Sequence, residues 1–195
     1  MAIALRDLAG LHGVGQPELP RGVPEVVPAL HPAAGRLPLG VPARLPSAAA
    51  ADRGSVEQQW VAFFAVAADR LRRPPTSLLH PPHFEALDRA IELQDLVIEH
   101  YDDAAAWSRD RHAEYAQASL ERHARRAADI VEVVHHREHE LRRQAGYFRL
   151  DLYVLPLAEP GAWIVGPHTV VVSASMRDDT DAFRDWFTPV VDVLV

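Results

Sequence analysis

Between Glu132 and His139 the chain reads EVVHHREH, a dense set of metal-ligating and proton-transferring side chains. On a helix, His135 and His139 stand one turn apart on one face, so both imidazoles can ligate one zinc ion. Glu138 is placed beside them as a general base. Glu132, three residues ahead of His135, adds a second arrangement in which a carboxylate and an imidazole reach the same ion. The competing reading is a solvated helix face, because eleven histidines spread over a helix-rich chain bring such spacings together by coincidence. No cofactor is therefore the first expectation, and zinc or iron the alternative.

The order His135, Glu138, His139 resembles the H-x-x-E-H motif of inverted zinc peptidases, which would imply a zinc-dependent hydrolase. Glu132 with His135 resembles one half of the paired E-x-x-H motif of ferritin-like di-iron oxidases, with Glu99, Glu114 or Glu121 as conceivable further ligands. Each resemblance is confined to its motif. The other stretches with chemical potential are simpler: Asp178–Asp181, DDTD, reads as helix-capping acid rather than a cation site. Ser173 and Ser175 have no base in sight and read as strand residues. No glycine-rich phosphate loop, GxSxG or HExxH stretch occurs.

Composition narrows the classes further. The chain has 195 residues, no cysteine, and arginine as its only strongly basic residue type. Disulfides, thiolate metal sites and cysteine nucleophiles are therefore excluded. Lysine and asparagine, both with A-rich codons, are absent, so the arginine enrichment fits a GC-rich genome rather than phosphate recognition. The net charge of −7 argues against nucleic acid as partner. The opening residues lack the pattern of a signal peptide and no apolar run reaches 18 residues, giving the expectation of a cytoplasmic protein with no membrane partner.

Punctuation sets the elements that must position these residues. Half of the sixteen prolines lie within residues 1–50, whereas 83–145 contains neither proline nor glycine. Residues 1–50 are expected to form an extended, helix-free arm. Its prolines at 20, 24, 28 and 32 remove amide donors from one strand edge only, leaving the other able to pair. Val23, Val27 and Val41 are its expected docking residues. Residues 51–146 should be helical. Ser55 and Gln58 read as a capping box ahead of an aromatic stripe at Trp60, Phe63 and Phe64. Phe84, Leu87, Ile91, Gln94, Ile98, Tyr101 and Ala105 form a heptad seam, followed by a second seam through Val131 and Val134. A polar, out-of-phase join at 102–110 favours two antiparallel helices over one, with Gly146 ending the second. Residues 147–195 change to period two, predicting a three-stranded antiparallel meander and a terminal helix kinked or ended by Pro189.

The expected fold class is thus α+β: a Pro-rich arm, a long helical hairpin or coiled-coil-like helices, and a small meander with a terminal helix. The expected function is a non-enzymatic interaction, assembly or regulatory subunit. It would associate with a protein partner or its own copies through Val23, Val27, Val41, Ile91, Ile98, Val131 and Val134. The alternative is a metal-dependent enzyme using Glu132, His135, Glu138 and His139.

Overall fold

A computed structural model describes residues 1–28, 53–69 and 79–194, which form an α+β structure. Val41, with most of the proline-spaced arm, lies outside the described residues. The chain divides into two compact units, Met1–Gly15 with Val26–Trp107, and Gln16–Glu25 with Ser108–Val195. These cut across the sequence divisions at 50 and 146.

The first unit is helical. α1 (Ala2–Leu8) stands where extended chain is expected. The reason is local: no proline occurs before Pro17, and Ile3, Ala4 and Leu5 are buried on forming the helix. α2 (Arg53–Ala68) starts ahead of Ser55, so that residue lies inside the helix rather than at its cap. The aromatic stripe is core as expected. Trp60 and Phe63 are buried with Leu5, Leu11 and Val26, and the Trp60 and Phe64 rings stack at 5.0 Å.

α3 (Ile91–Leu141) is one helix of 51 residues, not the expected hairpin. Nothing in its sequence breaks it: the join at 102–110 is alanine and charged residues with Trp107 and Ser108, and contains no glycine or proline. Phe84 and Leu87, expected in the helix, lie before it in a loop that carries a 3₁₀ turn (Glu85–Leu87), Phe84 at the N-cap of that turn with a left-handed φ of 50° and its ring 5.0 Å from Tyr101. Gln94, the polar break in the seam, holds that loop by donating to the His83 carbonyl at 2.7 Å and to Asp88 Oδ1 at 3.0 Å. Gln59 of α2 accepts from the Leu93 amide at 3.0 Å, satisfying one of the amides that a helix start leaves unpaired. The later start shifts the buried stripe to Leu93, Val97 and Ala104 and turns Ile91 and Ile98 outward.

In the second unit, β1 (Asp151–Leu155), β2 (Ala162–Gly166) and β3 (Thr169–Ser173) form a sheet in the order β1-β3-β2. β3 pairs antiparallel with β2 and parallel with β1, so the sheet is mixed and not a meander. The physical reason is burial. Val170, Val171 and Val172 are buried in succession, which requires cover on both faces and hence the central place, while β1 and β2 are partly exposed. Ser173, expected as a plain strand residue, ends β3 and starts α4 (Ala174–Asp178): its hydroxyl oxygen accepts from the Met176 amide at 3.2 Å and the Gly161 amide at 2.9 Å.

α5 (Thr180–Leu194) buries Phe183, Phe187 and Val191 at successive turns against Val170 and Val172. Pro189 lies inside it without ending it. The carbonyl that Pro189 cannot serve belongs to exposed Asp185, on the side of the helix opposite the buried stripe. Arg21 and Val23 pair with the chain just past β1: Val23 donates to the Pro156 carbonyl at 2.8 Å, and Arg21 accepts from Ala158 at 2.9 Å. Both lie on the strand edge that Pro20 and Pro24 leave unblocked.

α3 ends at Leu141, five residues before Gly146. Arg143 donates to the Glu138 carbonyl and Arg142 to that of His139, a Schellman arrangement that places Arg142 at φ 50°. A non-glycine residue there carries a steric cost. Replacing Arg142 by glycine is expected to stabilise the protein by about 0.5–1 kcal/mol, measured as a raised urea midpoint with unchanged slope.

Candidate functional site

The polar residues that the fold concentrates most heavily lie where α3 meets α4 and α5. Asp129 sits on the inner face of α3 beside Ile130 and Val133, which join the apolar cluster under the sheet. Its side chain is 3% exposed, and that of Arg177 in α4 is 4% exposed, with Arg177 Nη1 3.3 Å from Asp129 Oδ2. Arg177 also donates to the Arg126 carbonyl and lies 3.8 Å above the Phe183 ring. Burial draws the Arg177 guanidinium below its ordinary range, while the hydrogen bond and charge of Asp129 act in the opposite direction. The other oxygen of Asp129 accepts from Arg184 Nε at 3.2 Å.

Around this pair the charges alternate between elements. Arg122 and Arg126 of α3 hold Asp178 of α4, Arg184 of α5 holds Glu132 of α3, and Arg137 of α3 stands 3.0 Å from Asp192 of α5. Asp178, expected only as a helix-capping acid, is thus an anchor. Asp179 does the capping, accepting from the Ala182 amide at 3.1 Å. Glu132, Val133, His136, Arg137, Arg184 and Asp192 line a cleft of about 360 Å³ between α3 and α5.

The four residues expected as a metal site are not gathered. Glu132 faces the cleft and is taken by Arg184, whereas Glu138 accepts from the Ala145 amide at 2.7 Å. His135 and His139 are exposed on α3, and the histidine at the cleft is His136, 3.4 Å from Glu140. Among the described residues, no group of three histidine, aspartate or glutamate side chains could hold a metal ion. The cleft's carboxylates are each paired with arginine, so its arrangement serves docking of helices better than proton transfer.

Of the expected interface residues, Val134 packs in the apolar cluster, and Val23, Val27, Ile91, Ile98 and Val131 are exposed. Sequence reasoning missed Asp129, Arg177 and Arg184. The available signal was a charge set into an apolar stripe, Asp129 before IVEVV and Arg177 after Met176. Spacing alone could not pair them.

Removing one member of a buried ion pair strands the other, so Asp129→Ala should cost about 3–5 kcal/mol. Arg137→Ala, which breaks pairs open to water, should cost at most about 1 kcal/mol. Urea unfolding of the two variants checks this contrast. No protein-family model, no curated protein and no solved structure matches the chain.

Proposed function

We propose that this protein is a non-enzymatic interaction, assembly or regulatory subunit that works by binding a protein partner or its own copies in the cytoplasm. The observation that supports this reading most is apolar exposure on a regular element. Ile91 is 61%, Ile98 46% and Val131 49% exposed, all on α3. Ile91 and Ile98 are seven residues apart and share a helix face. Large aliphatic side chains kept out of water's reach only by another surface are the mark of an association site. Val23 and Val27 of the N-terminal region are exposed as well. Among the described residues no helix is long and apolar enough to cross a membrane, and the net charge of −7 counts against a nucleic-acid partner.

An enzymatic reading has less support, because the carboxylates nearest the histidines are engaged by Arg184, Arg137 and the Ala145 amide.

Replacing Ile91 and Ile98 together by serine is expected to leave the helical circular dichroism unchanged and weaken association by about tenfold or more, in proportion to the apolar area no longer buried. Sedimentation of the wild type and variant over a concentration series measures this. A wild type that stays a monomer and retrieves no partner through this face would contradict the proposal.

A further inference from the structure

His135 and His139 are exposed one turn apart on α3. The face of α3 that carries them lies opposite the one holding Asp129, Ile130 and Val133 against the unit's core. Among the described residues neither imidazole has a hydrogen bond or ion pair, although the side chains of nearby Glu132, Glu138 and Glu140 are all engaged. Toward the helix N-terminus the same face continues as exposed Ala128 and Val131. These residues occupy positions i, i+3, i+7 and i+11, a continuous stripe with two small or apolar residues beside two imidazoles.

We propose that this stripe is half of a metal-bridged contact between two copies of the chain, in which His135 and His139 of each copy ligate one zinc ion. Two imidazoles one helical turn apart can chelate a borderline cation, but they fill only two positions of a tetrahedron. No carboxylate on the same helix completes the set, because the candidates are held elsewhere. A second copy presenting the same pair supplies the missing two nitrogen ligands by symmetry. Ala128 and Val131 allow the close approach, since neither carries charge nor a long side chain to hold the helices apart. The inference rests on the association reading for the second copy, and adds a ligand that the reading does not require.

The test is sedimentation of the full chain, freed of metal by chelator and then titrated with zinc. The expected result is a doubling of mass complete at about half an equivalent of zinc per chain, reversed by chelator and absent in His135→Ala and in His139→Ala. Cobalt in place of zinc should give the intense visible absorption of a tetrahedral nitrogen site, lost in the same variants. A mass unchanged by zinc, a full equivalent of zinc bound by a monomer, or a doubling retained in the double variant would overturn the proposal. Zinc-independent association that Ile91 and Ile98 replacements abolish, with no further change of mass on adding zinc, would support the association reading while removing this one.

Discussion

The second unit depends on the buried pair of Asp129 and Arg177. Each charge alone would be too costly to bury, and only the presence of the other, with Arg184, the Arg126 carbonyl and the Phe183 ring, makes the position tenable. The pair joins a helix to a segment that follows β3 without a loop, through Ser173. Fixing Arg177 against Asp129 therefore fixes the central strand, and with it the sheet, on α3.

Apolar burial alone would define this arrangement less tightly. Phe183, Phe187 and Val191 recur at each turn of α5, so sliding that helix by one turn would still bury aromatic against aliphatic surface. The charges forbid the slide. Asp178 must meet Arg122 and Arg126 while Arg184 meets Asp129 and Glu132, and Arg137 meets Asp192. The exposed pairs contribute little energy individually, but a shifted register strands the buried one. With the inner face of α3 committed in this way, its outer residues, Ala128, Val131, His135 and His139, are left facing water.

Element types were legible wherever period and punctuation agreed. The strand near 151–155 follows from alternation, those near 162–166 and 169–173 from the turns at Pro160–Gly161 and Gly166–Pro167 that bound them, and the aromatic and terminal helices from 3,4 spacing. Connectivity was less legible. Short loops suggested a meander, yet the unbroken Val170–Val172 run already carried the contrary signal of a central strand. The hairpin expectation failed because a polar, out-of-phase join does not interrupt a helix that contains no glycine or proline. The exposed faces of Ile91 and Ile98 depended on where α3 begins, which Gln59 and Gln94 set from other segments. The metal reading saw correct spacing at Glu132, Glu138 and the two histidines, but could not see that Arg184 and the Ala145 amide compete for the carboxylates.

The claim that one buried pair locks this unit is tested most directly by a double-mutant cycle on Asp129→Leu and Arg177→Met, read by urea unfolding. Removing one partner leaves a buried charge, whereas removing both leaves apolar side chains of similar size, so the two losses must not add. The account predicts a double variant more stable than the sum of the single losses by about 2–3 kcal/mol, with a cooperative transition retained. Losses that add to within about 0.5 kcal/mol would mean that Asp129 and Arg177 act independently, contradicting the account.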